Sequence, residues 1–226
     1  MDLTVALLDA GVVPVITLAR PEQGVPVAEA LLAGGLTCAE ITFRSDAAPA
    51  AIEMIRSRVP ALLVGAGTIL TTAQADAAIA AGASFLVAPG FNPAIVDHVL
   101  GRGIPMLPGV CTPSEIEQAL ARGLHLVKFF PAAAMGGVAY LRALAGPYPM
   151  VRYVPTGGIT AGDVAGYLAL PSVVAVGGTW LAAGDLVAAG AWEKIRGLAA
   201  EAAAIVGRAR SADAAIGGPS GAPRPR

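Results

Sequence analysis

The feature that most constrains this chain is a rhythm. Short apolar runs, each followed by a stretch of helical periodicity, recur eight times at steps of about 20 to 25 residues. The expected strands are 12–18, 39–44, 62–68, 85–88, 106–107, 126–130, 151–154 and 173–176. Helical patterns follow them, at 24–34, 46–57, 72–81, 93–101, from 113 onward, 138–145, 162–169 and 191–206, and a short first helix ends near Gly11. Start signals support several of these. Thr71 or Thr72 caps one helix, Pro93 suits a first turn, and Thr112-Pro113-Ser114-Glu115 combines an N-cap with proline at the first helical position. Strand and helix in strict alternation call for a parallel sheet. Eight units within the first 206 residues predict a single-domain (β/α)8 TIM barrel with a short N-terminal helix. An open, doubly wound sheet is the alternative. Residues 207–226, which include Gly217-Gly218-Pro219-Ser220-Gly221, have the composition of a disordered tail.

Composition fits that architecture and removes other classes. Hydrophobic residues make up 55% of the 226 and charged residues 14%, enough apolar material for strands buried on both faces. The net charge is −1 with no basic stripe, which argues against a nucleic-acid partner. Cys38 and Cys111 are too few for a disulfide framework, and no His/carboxylate cluster has metal-ligand spacing, so no metal is expected. Residues 164–184 carry no charge, yet Pro171 and Gly177-Gly178 divide them into pieces too short to span a membrane. Met1-Asp2-Leu3-Thr4 lacks the basic start and apolar run of a signal peptide, so a cytoplasmic setting is expected.

Against that background one residue is out of place. Only two of the 15 basic residues are lysines, and one of them, Lys128, lies inside the apolar run Leu126-Val127-Lys128-Phe129-Phe130. Arginine keeps its charge at any accessible pH, whereas a desolvated lysine can give up its proton and attack a carbonyl. A lysine at a strand end that snorkels to water, or pairs with a carboxylate, is the other reading.

The remaining polar residues decide where to look. In a barrel, chemistry collects at the C-terminal ends of the strands. Those ends carry Arg20, Glu40 with Arg44, Thr68, Pro89, Lys128, Thr156-Gly157-Gly158 and Gly177-Gly178-Thr179. Alternate residues of a strand share a face, so Glu40, Thr42 and Arg44 point one way and apolar Ile41 and Phe43 the other. The apolar pair suits the helix layer, which aims Glu40, Thr42 and Arg44 inward. The same parity aims Lys128 inward and Val127 and Phe129 outward. Glu40 is then the general acid/base beside an imine-forming lysine, or half of an ion pair with Arg44 or Lys128. Arg44 offers a fork for a carboxylate, or serves as a surface residue before Ser45. Thr68 can donate a hydroxyl to the same ligand, or simply end a turn. The glycine-rich ends of strands seven and eight leave backbone amides free for a phosphate, or are tight turns. His98 and His125 fall away from the mouth, and Trp180 and Trp192 read as packing residues.

Five segments together carry a resemblance. Glu40-Ile41-Thr42-Phe43-Arg44, Gly65-Ala66-Gly67-Thr68, Lys128-Phe129-Phe130-Pro131-Ala132, Pro155-Thr156-Gly157-Gly158-Ile159 and Gly177-Gly178-Thr179-Trp180-Leu181 resemble the 2-dehydro-3-deoxy-phosphogluconate aldolases, from about Val12 to Val206. The resemblance implies a class I aldolase of the Entner–Doudoroff pathway, assembled as a homotrimer. It would split 2-dehydro-3-deoxy-6-phospho-D-gluconate into pyruvate and D-glyceraldehyde 3-phosphate through a lysine imine, with no cofactor and no metal. Such enzymes often also act on 4-hydroxy-2-oxoglutarate and can decarboxylate oxaloacetate. Position by position, Lys128 matches the Schiff-base lysine and Glu40 the proton-transferring glutamate. Arg44, Thr68, Pro89 and Phe130 match the pyruvate site, and Thr156 a threonine tied to stereochemical preference. Gly157, Gly158, Gly177, Gly178 and Thr179, with Arg20, match the phosphate site. Position 179 is threonine where many members have serine, and the hydroxyl is kept. A phosphate-binding epimerase or isomerase, and a non-catalytic ligand-binding barrel, are the competing readings.

Overall fold

The computed structural model describes residues 2–216, with side chains through residue 211. It opens with helix α1 (Leu3–Ala10), capped by the Asp2 carboxylate, which accepts the Thr4 amide at 2.8 Å. Strand β1 (Val12–Ile16) leads to α2 (Gly24–Ala33), β2 (Cys38–Thr42) to α3 (Ala48–Arg58), and β3 (Leu63–Gly67) to α4 (Thr72–Ala80). Next come β4 (Leu86–Val87), α5 (Pro93–Gly101), β5 (Met106–Leu107), β6 (Gly109–Val110) and α6 (Pro113–Leu120). The second half adds β7 (Leu126–Phe129), α7 (Gly137–Ala145), β8 (Arg152–Pro155), α8 (Val164–Leu168), β9 (Val176–Gly178), α9 (Gly184–Ala188) and α10 (Trp192–Ile216). Thr71 and Thr112 do cap α4 and α6; Thr112 forms a full capping box with Glu115.

All strand pairs are parallel, as alternation with helices requires. Hydrogen-bonded ladders form two sheets rather than one closed ring of eight strands. Six strands run in the order β5-β4-β3-β2-β1-β9, and three in the order β6-β7-β8. The break lies at Pro108: the expected fifth strand, 106–107, is β5, and pairing resumes after the proline in β6, which the sequence reading did not include. Proline has no N–H to donate to a ladder, although its carbonyl still accepts the Lys128 amide at 3.0 Å. On the other side, isolated bridges Tyr153–Val173 and Thr156–Gly177 join β8 to the β9 segment. The last strand therefore begins at Val176 rather than Val173, which makes only a single bridge.

The C-terminal helix also departs from expectation. It passes through Gly207 and runs to Ile216 instead of ending near Val206. A lone glycine costs only about 1 kcal/mol against alanine inside a helix, and the alanine-rich flanks absorb that. Arg210 fastens the extension by donating to the Asp9 carbonyl at 3.2 Å. The rest of the tail expected from sequence, 217–226, lies outside the described residues. No helix among the described residues is long and apolar enough to cross a membrane.

Strand parity sorts the core into two clusters. The larger holds Ile41, Val64, Val127, Phe129 and Tyr153 with the inward faces of the surrounding helices. Phe129 stacks on Tyr140 of α7 with ring centres 5.9 Å apart, so it faces the helices as its position predicts. The smaller cluster takes the opposite strand face, with Val13, Cys38, Phe85, Val87, Leu107 and Val154, and α1 fills it with Leu3, Leu7 and Ala10. Helix α1 is thus the plug under the inner strand face.

Two stability predictions follow from this packing. Leu7 is 1% exposed, so Leu7→Ala is expected to cost about 3 kcal/mol. The Tyr153 hydroxyl is buried without a partner among the described residues, and burial, helped by Tyr148, pushes its phenol up to about 12. Tyr153→Phe removes an unsatisfied donor and is expected to raise stability by about 1 kcal/mol. Denaturant midpoints of the two variants check both signs.

Candidate active site

Register brings the lysine and the glutamate together. Glu40 lies in the middle of β2, paired with Val15 on one side and Gly65 on the other. Lys128 lies in β7, between Gly109 and Val154. Both side chains turn to the inner face and meet there, Lys128 Nζ 3.5 Å from Glu40 Oε1. Both residues are buried, at 6% and 3% exposure. Two charges in such a place are retained only as a pair or as a chemical device.

Beneath them the floor is mainly apolar. Leu7, Val13, Phe85, Val87, Leu107 and Val154 surround a void of about 10 Å³, no more than the room one water needs. Cys38 sits two residues before Glu40 on the same face; burial and the Glu40 charge push its thiol up. It is therefore an inert filler.

Above the pair a pocket of about 140 Å³ opens at the C-terminal ends of the strands. Lys128 and Arg44 line it together with Phe130, whose ring centre is 5.3 Å from Lys128 Nζ. The opposite wall is Thr156, Gly157, Gly158, Gly177, Gly178 and Thr179. Gly157 and Gly158 adopt φ values of 101° and 73°, a region open to glycine at little cost. The Gly158 and Thr179 amides take no part in the hydrogen bonds of the described residues. Free amides on a glycine wall are suited to an anionic oxygen. One rim can thus activate a carbonyl and hold a carboxylate while the other holds a phosphate.

Most of the residues singled out from sequence meet in this pocket; four stand outside its lining, among them Glu40, which lies below it beside Lys128. Pro89 lines a neighbouring apolar groove with Ile69, Leu70 and Phe91. Thr68 follows β3 with φ 57°, the only left-handed non-glycine among the described residues. Such strain persists where surrounding structure enforces it and often marks a functional edge. Arg20 is exposed after β1, next to the β9 end in the sheet.

Other contributors were not singled out. Val15 and Ile159 line the pocket. Gly67 makes room for the acid, since a Cβ there would fall on the Glu40 carboxylate. Gly177, already singled out for the phosphate wall, does the same for the Thr156 hydroxyl. The available signal was parity: Gly65 and Gly67 share the Glu40 face once the sheet register is known. Among the described residues no group of three or more His, Cys, Asp or Glu could hold a metal ion.

The chain is similar to known proteins in sequence and in fold. The family model for KDPG and KHG aldolases matches residues 4–198. A Treponema pallidum protein named 2-dehydro-3-deoxy-phosphogluconate aldolase is 49% identical over 202 residues, 89% of this chain and 96% of the relative. Among solved structures, a KDPG aldolase from Legionella pneumophila holds pyruvate as a covalent carbinolamine intermediate. It superposes with a TM-score of 0.85 at 37% identity, over 88% of this chain and 97% of its own. A Zymomonas mobilis aldolase with 3-phosphoglycerate gives 0.83 at 39%, over 90% and 96%.

The clearance at Gly67 is testable. Gly67→Ala is expected to displace Glu40 and cut turnover of the family's keto-acid substrates about 100-fold. Gly101→Ala, with nothing within 4 Å of the new carbon, is expected to leave turnover unchanged. Steady-state kinetics on both variants separate the two.

Proposed function

The chain belongs to the KDPG and KHG aldolase family, and from that premise we propose how its own residues carry the reaction. It is an aldolase, a carbon–carbon lyase that works through a lysine imine. Its substrate is 2-dehydro-3-deoxy-6-phospho-D-gluconate, and its products are pyruvate and D-glyceraldehyde 3-phosphate. The observation that carries the assignment of roles is the buried Lys128–Glu40 pair, 3.5 Å apart at the base of the pocket.

Lys128 Nζ passes a proton to Glu40 and attacks the C2 carbonyl. Glu40 returns that proton to the carbinolamine hydroxyl, which departs as water and leaves a protonated imine. Glu40 takes the proton of the C4 hydroxyl. The C3–C4 bond breaks, its electron pair moves to C3 and forms an enamine with C2, and the aldehyde departs. Glu40 returns the proton to C3. Water then hydrolyses the pyruvate imine and regenerates the lysine, so every proton and electron pair is accounted for. The imine is the electron sink, so the reading asks for no metal and no organic cofactor.

The remaining residues hold the two ends of the substrate. Arg44, with Phe130 beside the lysine, takes the keto-acid end, and we assign Thr68 and Pro89, which follow β3 and β4, to the same half. Gly157, Gly158, Gly177, Gly178 and Thr179 take the phosphate, with Arg20 on the neighbouring strand end. Thr156 stands between the halves and sets the preference for the gluconate epimer. A substrate without the phosphate, such as 4-hydroxy-2-oxoglutarate, still satisfies the keto-acid half. We also assign a closed (β/α)8 barrel, supported by the bridges between β8 and the β9 segment and by the single proline between β5 and β6. A homotrimer in the cytoplasm completes the proposal.

Release of pyruvate from 2-dehydro-3-deoxy-6-phosphogluconate tests the roles. Glu40→Gln is expected to lower kcat by a factor on the order of 100 to 10,000, and Lys128→Arg to abolish turnover, since a guanidinium forms no imine. Near-normal turnover by Lys128→Arg contradicts the mechanism.

A further inference from the structure

Thr17 and Thr42 form a hydroxyl pair that the mechanism above does not use. Their Oγ1 atoms are 2.8 Å apart, and either could be the donor on distance alone. Parallel register extends from Val15–Glu40 and Ile16–Ile41 to place Thr17 opposite Thr42. Thr42 is therefore one inward step above Glu40, and Thr17 one inward step above Val15, which lines the pocket.

Burial settles which hydroxyl donates. Each threonine has one hydrogen to give, and one bond joins them. Thr42 is 0% exposed and has no other side-chain hydrogen bond among the described residues, while Thr17 is exposed. If Thr17 donated, the Thr42 hydrogen would be buried without an acceptor, at a cost that an exposed hydrogen does not incur. Thr42 therefore donates. The Thr17 oxygen accepts, and its own hydrogen, on an exposed residue, is left for an acceptor outside the fold. Two residues past Thr42 in the chain, Arg44 lines the pocket and enters no ion pair of the described residues. An acceptor shared by a guanidinium and a hydroxyl is an anionic oxygen.

We infer that Thr17 is a substrate-binding residue, donating to the keto-acid carboxylate beside Arg44, and that Thr42 is the positioning residue that orients it. The inference rests on the aldolase reading. Thr42 acts from beneath: it fixes the direction of a donor that would otherwise rotate, and so lowers the ordering cost of binding.

Borohydride trapping of the pyruvate imine tests this at increasing pyruvate concentration. Thr17→Val is expected to raise the half-saturating pyruvate about tenfold, as for loss of a hydrogen bond to a charged group. The limiting trapping rate is expected to stay unchanged. Thr42→Val is expected to raise it by a smaller factor, and Thr42→Ser to restore it. The Thr17→Val/Thr42→Val double variant should match Thr17→Val, because the two hydroxyls act as one unit, and it leaves no buried unpaired hydroxyl to compromise folding. A purely structural role would shift stability and leave the half-saturation alone. Half-saturation of Thr17→Val within about twofold of wild type, or effects that multiply in the double variant, overturn the inference while the aldolase reading stands. No trapping on the wild-type chain removes both.

Discussion

The structure depends on placing an ammonium donor and a carboxylate 3.5 Å apart where water barely reaches. A buried ion pair seldom stabilises a fold, because desolvating both groups offsets their attraction. The surrounding residues make sense as the means of keeping this one there. Glu40 and Lys128 come from strands in different sheets, so neither sheet alone builds the site. Gly67 vacates the space for the carboxylate, and Val13, Phe85, Val87 and Leu107 with Leu7 of α1 close the floor. Removing one partner would strand the other as an uncompensated charge, whereas a substrate carbonyl can use both.

The same strand period that buries the pair divides the molecule's labour. Odd and even positions of β7 do opposite things: Val127 and Phe129 bind the strand to the helices, and Lys128 faces the pocket. On β2, Ile41 holds the helix layer while Cys38, Glu40 and Thr42 climb the inner face from inert floor, through acid, to the hydroxyl pair. Polarity on that face increases toward the strand C-termini, where Arg44 and the glycine-lined wall meet solvent. Stability and chemistry are thus separated along one direction of one surface.

Parity made much of this legible in the sequence. A lysine in an apolar run and a Glu-x-Thr-x-Arg alternation can point inward in only one consistent way, and both do. What failed to show depended on pairing between distant segments. The clearance at Gly67 requires the register of β2 against β3, and the Thr17–Thr42 bond requires that of β1 against β2. Local composition misled in two places. Pro108 reads as the end of a strand, yet the chain resumes pairing at Gly109, because proline forfeits its donor and keeps its acceptor. Gly207 reads as a helix stop, yet nothing after it demands a turn before Gly217, and Arg210 finds the Asp9 carbonyl. Thr68, Pro89 and Arg20 lie at strand ends as expected but outside the pocket lining, since alternation no longer dictates direction once the chain leaves the strand.

In the proposed mechanism Lys128 is the amine that becomes covalently bound to the keto acid. Peptide mapping by mass spectrometry, after reduction of the protein with borohydride in the presence of pyruvate, locates that bond directly. A single reduced pyruvyl adduct is expected, on the peptide that contains Lys128. Modification of Lys194 instead, or an intact Lys128 peptide in a protein that still turns over substrate, would contradict it.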